Sequence, residues 1–174
     1  KNFTKSVVRY LRQYQFDGFD LDWEYPGSRD GGRPEDKENY LRLVKDLRRA
    51  FESEAKKAKR PRLLLTMAVP AGIETIEKGY DVPRLSKYLD FFNLLSYDYH
   101  ASTEPLVNHH SPLRSYDETD FEHQLTVEYT VGHYLKNGAP RHKIVVGIPT
   151  YGRAYKLFNP DVNGLESPSL GPSE

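Results

Sequence analysis

Apolar positions along the chain switch repeatedly between helical and strand spacing. Val7, Val8, Leu11 and Tyr14 recur at three and four residues, which predicts one face of a helix; over 16–23 apolar and acidic residues then alternate, as along a strand. Helical spacing returns over 35–59 through Tyr40, Leu41, Val44, Leu47, Phe51 and Ala55. Its acidic residues come early and its basic residues late, an order that complements the helix dipole. Residues 62–69 form a short, nearly continuous apolar run ended by Pro70 and Gly72, the pattern of a buried parallel strand. Residues 81–89 fit a short helix and 91–97 another buried strand. Thr119-Asp120-Phe121-Glu122 has the form of a capping box, opening a helix with Phe121, Leu125, Tyr129, Gly132 and Leu135 on one face, closed by Asn137, Gly138 and Pro140. Residues 143–148 predict the next strand, and beyond Tyr151 the accumulation of Gly, Pro, Ser and Asn predicts loop or the start of an inserted region.

Helices alternating with buried strands mean parallel βα units, which fit either an open doubly wound sheet or a closed eight-stranded barrel. The sequence has neither G-x-G-x-x-G nor a P-loop, so the barrel is the expected architecture. A complete barrel needs about 250 residues. Four strands in 174 residues are half of one, and the expectation is a segment of a larger protein. The start at Lys1, without an apolar leader, agrees with a trimmed or processed chain whose targeting segment lies elsewhere.

Charge narrows the partners. With 25 basic and 25 acidic residues the net charge is zero, which gives no electrostatic argument for nucleic acid, and the cluster Lys56, Lys57, Lys59, Arg60 reads as a helix end. No apolar run approaches the roughly 18 residues of a membrane span. The absence of cysteine excludes disulfides and says nothing about compartment, while Asn2-Phe3-Thr4 is a sequon for an N-glycan in a secretory setting.

Candidate chemistry concentrates in Phe16-Asp17-Gly18-Phe19-Asp20-Leu21-Asp22-Trp23-Glu24-Tyr25-Pro26. Strand side chains alternate, so Asp20, Asp22 and Glu24 share one face and Phe19, Leu21 and Trp23 the other. Three acids spaced about 7 Å apart repel one another inside a barrel, so the row must hold protons above the ordinary carboxylate pKa or bind a cation. Glu24 falls where Tyr25-Pro26-Gly27 ends the strand, and barrel enzymes place their chemistry at that end. Two other readings of the row are a solvated acidic edge strand and a Mg²⁺ or Ca²⁺ site for phosphoryl chemistry. Against the second, no phosphate loop accompanies the row, and the neighbouring Trp23 and Tyr25 suit a sugar ring.

Asp17-Gly18-Phe19-Asp20-Leu21-Asp22-Trp23-Glu24 resembles the D-G-x-D-x-D-x-E signature of the family 18 glycoside hydrolases, the chitinases. Asn93-Leu94-Leu95-Ser96-Tyr97-Asp98 is similar to that family's M-x-Y-D strand, with Leu95 at the Met place, and Gly147-Ile148-Pro149-Thr150-Tyr151-Gly152-Arg153 to its G-[IL]-P-T-Y-G-R strand end. Thr66-Met67-Ala68-Val69-Pro70-Ala71 falls where the intervening strand belongs. The resemblance, arthropod-like in flavour, implies a (β/α)8 TIM barrel of which residues 1–153 supply strands four to seven. Residues 154–174 would then begin an inserted α+β region, and strands one to three and eight, with the aromatic floor of the sugar site, would lie outside this sequence.

The implied activity is hydrolysis of β-1,4-linked N-acetylglucosamine polymers with retention, assisted by the substrate. By the same resemblance Glu24 is the general acid and base, Asp22 orients the N-acetyl group, and Asp20 shares a proton with Asp22. Tyr97 would donate to the acetamide oxygen, Asp98 would act near the cleavage point, and Tyr151 and Arg153 would line the cleft. Trp23 and Met67 complete the substrate-binding candidates. No metal or other cofactor is implied, the partner is chitin or chitooligosaccharide, and kinship with commonly secreted enzymes implies an extracellular location. His100-Ala101 stands where many relatives have Gly, and Thr103 where a cleft Trp is often found. The pair His109-His110 reads as an exposed loop pair rather than a metal site. The alternatives are a chitin-binding, lectin-like relative without catalysis, in which the acid position is typically replaced, and an inactive fragment of a chitinase.

Overall fold

The structure, a computed structural model, describes residues 2–29, 31–115 and 121–173. Helix α1 (Asn2–Gln13) buries Thr4, Val7 and Leu11. It leads into strand β1 (Gly18–Leu21) and then the long helix α2 (Asp36–Ala58), whose buried stripe is Tyr40, Leu41, Val44, Leu47 and Phe51. Helix α2 ends at Lys59, at φ 51°, so the basic cluster is indeed the end of a helix. Strand β2 (Leu64–Val69) is followed by two short helices, α3 (Ile73–Gly79) and α4 (Val82–Leu85). The spacing predicts only the second of these, and as a longer helix; Asp81 caps α4 by accepting from Arg84 N at 3.1 Å.

Strand β3 (Phe91–Leu94) and strand β4 (Ile144–Val146) flank helix α5 (Val127–Lys136). The start of α5 differs from expectation. Phe121–Gln124 form a separate 3-10 turn, and the cap is Thr126, whose side chain accepts from Tyr129 N at 3.2 Å. Its buried face is accordingly Val127, Thr130 and Tyr134. Thr119 and Asp120 of the expected capping box lie outside the described residues.

The four strands pair in parallel in chain order, β1-β2-β3-β4, with Asp20 opposite Thr66, Ala68 opposite Asn93 and Asn93 opposite Val145. A doubly wound sheet reverses direction at a switch point, whereas a strand order that follows the chain is that of a barrel wall. One face of the sheet carries Leu21, Leu65, Met67, Val69, Phe92 and Leu94 into a single core with the buried faces of the helices. Side chains of opposite parity, Asp20, Thr66 and Asn93, meet on the other face. Beyond β4, strands β5 (Tyr155–Leu157) and β6 (Ser169–Pro172) pair antiparallel, and Ser169 N and Val107 N bond to Pro105 O and Ser167 O, tying this hairpin to the loop after β3. Among the described residues no helix is long and apolar enough to cross a membrane.

Candidate active site

Only Asp20 of the acidic row lies within the paired part of β1; Asp22 and Glu24 follow its carboxyl end. Asp20 Oδ1 accepts from Thr66 Oγ1 at 2.5 Å and from Asn93 Nδ2 at 3.0 Å, so β2 and β3 each direct a donor at the first acid. Asp22 has its pKa raised, first by burial and then by the negative charges of Glu24 and Asp20. Glu24 Oε2 pairs with Arg29 Nη2 at 3.3 Å, and the Arg29 guanidinium lies 4.8 Å above the Tyr25 ring. That ion pair is well exposed, which limits its strength.

Asp22 and Glu24 open into a cleft of about 450 Å³ that Tyr25, Arg29, Tyr97 and Asp98 also line. The Tyr97 phenol is pushed upward, first by burial and then by the charges of Asp22, Asp98 and Glu24, so it remains a neutral donor at ordinary pH. Its position depends on Gly147: a Cβ there would lie 2.4 Å from Leu94 O and 2.9 Å from Tyr97 Cε1. Only glycine permits this approach. The Tyr99 hydroxyl donates to Thr130 Oγ1 at 2.8 Å, and Thr130 Oγ1 and the Tyr134 hydroxyl donate to Ala71 O and Pro70 O. Helix α5 thereby holds the segments that follow β2 and β3.

Asp98, with φ 56°, accepts from Arg153 Nη2 at 2.5 Å and Nε at 3.1 Å. Burial raises its pKa, but hydrogen bonds from Arg153 and Tyr151 and the Arg153 charge outweigh that and leave it below the ordinary range. Tyr151, by burial and by its contact with Asp98, is pushed up to about 12. Its ring meets Tyr97 edge-on, with centroids 6.2 Å apart.

Of the expected residues, Asp22, Glu24, Tyr97 and Asp98 therefore line one cleft, Tyr151 and Arg153 join it through their contacts with Tyr97 and Asp98, and Asp20 precedes Asp22 on the strand. Two do not join it. Met67 is fully buried on the helix-facing side, because alternation along β2 sends it opposite to Thr66. Trp23 turns away from its acidic neighbours and packs edge-on against Tyr40 of α2, centroids 5.3 Å apart, while its carbonyl accepts from the Tyr80 hydroxyl. The expectation of an exposed histidine pair fails for His110, whose side chain is 12% exposed and stacks on Tyr151 at 4.8 Å. Sequence spacing carries no signal for this contact, which joins residues 41 positions apart. Among the described residues no group of three or more His, Asp or Glu is arranged to hold a metal ion.

Four parallel strands in chain order, with acids beyond the carboxyl ends of β1 and β3, define a βα-barrel segment carrying an acid-rich cleft. Comparison with known proteins agrees. Residues 1–170 match the glycosyl hydrolases family 18. Chitotriosidase-1 of Mus musculus is 41% identical over 173 residues, 99% of this chain and 37% of that protein. The crystal structure of an immunomodulatory active chitinase from Trichuris suis, TsES1, superposes with TM-score 0.90 at 41% identity, covering 97% of this chain and 45% of the other. Human YKL-39, described as a pseudo-chitinase with retained chitooligosaccharide binding, superposes with TM-score 0.86 at 35% identity, over 98% and 46% of the two chains. The chain belongs to glycosyl hydrolase family 18 and is part of a (β/α)8 TIM barrel. It spans less than half the length of these relatives.

Proposed function

We propose that the cleft cleaves β-1,4-linked N-acetylglucosamine polymers with retention of configuration, using the substrate's own N-acetyl group as nucleophile. Glu24 protonates the glycosidic oxygen while the acetamide oxygen attacks the anomeric carbon, expelling the leaving sugar and forming a cyclic oxazolinium ion. Glu24, now a carboxylate, takes a proton from water as the water opens that ring. Asp22 orients the acetamide N–H and faces the developing positive charge, and Tyr97 donates its phenol to the acetamide. Arg153 and Tyr151 line the cleft on the substrate side, Arg153 with the planar donors suited to sugar oxygens. Arg29 must release Glu24 before the carboxyl can act as an acid.

The observation that carries this reading is the complete row of acids: Asp20 supported by two neutral donors, Asp22 lifted in pKa, and Glu24 at the mouth facing the cleft that Tyr97 lines. An extracellular setting, and the boundary at 153/154 where an inserted region would begin with the β5–β6 hairpin, belong to the same proposal. A second reading, sugar binding without cleavage, is supported by the likeness to YKL-39; the presence of Glu24 argues for the enzyme.

The test is mass spectrometry of products after incubation with chitin pentasaccharide, for the wild-type chain, its Glu24→Gln variant and the full-length protein. Shorter N-acetylated products from wild type alone, with Glu24→Gln retaining sugar binding and below about a tenth of the rate, support the assignment. Cleavage by Glu24→Gln at more than that rate removes Glu24 as the acid. Binding without cleavage in the full-length wild type establishes the second reading.

A further inference from the structure

We propose that His110 is a positioning residue that clamps the segments following β3 and β4 together and so fixes Asp98 and Tyr151 relative to each other along the cleft. The proposal rests on the sugar-cleaving reading of the site. His110 lies in the long connection between β3 and α5, yet it touches both strand ends. On one side Nε2 lies 3.1 Å from Tyr151 O and the ring stacks on the Tyr151 ring, centroids 4.8 Å apart and planes inclined by 27°. On the other, Asp98 N donates toward Nδ1 at 3.4 Å, and the same nitrogen lies 3.5 Å from Asp98 Oδ1. The His110 main chain adds to the clamp by accepting from Tyr99 N at 2.9 Å, and next to it Ser111 Oγ donates to Ser96 O at 2.8 Å.

The carbonyl contact orients the ring: a carbonyl can only accept, so Nε2 carries a proton toward Tyr151 O, while Nδ1 faces Asp98. One imidazole thus joins two strand ends whose residues are 53 positions apart in sequence, Asp98 and Tyr151. Arg153 already links the same two residues through the Asp98 carboxylate and by lying 5.6 Å over the Tyr151 ring, but it is a long, partly exposed side chain. The largely buried ring of His110 is the rigid member of the pair. It reaches neither Asp22 nor Glu24 in any of these contacts, so its effect on turnover passes through Asp98 and Tyr151.

The test uses the full-length protein with His110→Ala, His110→Asn and His110→Gln, reading kcat and KM on chitin pentasaccharide, the unfolding midpoint, and the wild-type ring tautomer by long-range proton–nitrogen NMR. The expected result is the Nε2–H tautomer in the wild type and a fall in kcat/KM of about 10- to 100-fold for folded His110→Ala, as a misplacement of up to 1 Å produces. Asn, which keeps an acceptor for Asp98 N, and Gln, which keeps a donor for Tyr151 O, each restore part of the loss. A folded His110→Ala with kcat/KM within threefold of wild type, or a wild-type Nδ1–H tautomer, overturns the proposal. If the wild type binds the pentasaccharide without cutting it, the hydrolase reading alone fails, and the Kd of His110→Ala decides the clamp: tenfold weaker binding upholds it and an unchanged Kd ends it. A wild type that does not bind overturns both.

Discussion

Asp90 sits just before β3, at the end of the sheet away from the cleft, and its removal is the sharpest test of what locks the strands. Its carboxylate accepts from Arg62 Nη2 at 2.6 Å and Nη1 at 2.9 Å, from Arg48 Nη1 at 3.2 Å, and from Leu65 N at 2.8 Å. One group thus joins α2, the start of β2 and the start of β3. Burial alone pulls its pKa upward; the hydrogen bonds from Arg62, Leu65 N and Arg48 overcome this and lower it from 3.8 to about 2. At about 1.4 kcal/mol per pH unit the difference is worth about 2 kcal/mol of folding stability. Because the folded-state value is depressed, that stability is fully present above the unfolded value of 3.8 and is lost as pH falls toward 2, with about half gone at pH 3. Asp90→Asn removes the charge and leaves two guanidinium groups facing an amide, so the variant should be about 2–3 kcal/mol less stable at pH 7. Urea unfolding of both proteins at pH 7, 5 and 3 measures this, and comparing variant with wild type cancels the titration of the other carboxylates. The gap should be constant from pH 7 to 5 and narrow by about 1 kcal/mol at pH 3. A gap that holds its size down to pH 3 would refute the electrostatic reasoning.

Thr66→Val keeps the shape of a residue that is only 6% exposed and removes the donor at 2.5 Å from Asp20, leaving Asn93 as its remaining partner. Steady-state kinetics on chitin pentasaccharide should show kcat reduced at least about tenfold, as expected from losing a hydrogen bond that holds the first acid of the row, with a smaller change in KM. Gly147→Ala drives a methyl group against Leu94 O and the Tyr97 ring, and should cost about 1–3 kcal/mol in thermal unfolding. It should also lower kcat/KM by at least about tenfold, since Tyr97 must move; unchanged kinetics would separate Tyr97 from the chemistry.

The elements legible in the sequence were those whose cause is local. The stripe of Tyr40, Val44, Leu47 and Phe51 is spaced for a helix and forms one, and the alternation around Asp20 and Leu21 forms β1. Helix α3 escaped because Ile73 and Ile76 are too few to set a period, and its burial comes from packing beside α2. The start of α5 differs from the expected one because two Thr residues seven apart can each cap a helix, and only tertiary contact distinguishes them. Thr126 sits where Val127 N bonds to Pro112 O and Thr130 reaches Ala71, so the helix begins there. The same distinction holds at the cleft. Parity along β1 marks Asp20, Asp22 and Glu24 as one row, and the same parity rule assigns Met67 to the helix-facing side, where it lies buried. What parity cannot supply is register between strands, which brings Thr66 and Asn93 to Asp20, or loop closure, which brings His110 to Tyr151.

Register also decides how three acids coexist. Repulsion along the row requires that at least one member hold its proton more firmly than a free carboxylate, but alternation treats Asp20 and Asp22 alike. The neighbouring strands break the tie. Parallel pairing sets Thr66 opposite Asp20, and Asn93 on β3 comes within reach of the same oxygen, so Asp20 is met by two neutral donors that an acceptor oxygen can use. Asp22, beyond the paired part of β1, is instead lifted by burial and by the charges on both sides of it. Asp22 is thus the member of the row whose protonated form is favoured, and under the proposed mechanism this lowers its repulsion against Glu24 before proton transfer. Under the proposed mechanism Thr66 and Asn93 act through the Asp20 carboxyl they hold, so their substitution belongs in the kinetic pH profile as much as in the unfolding curve.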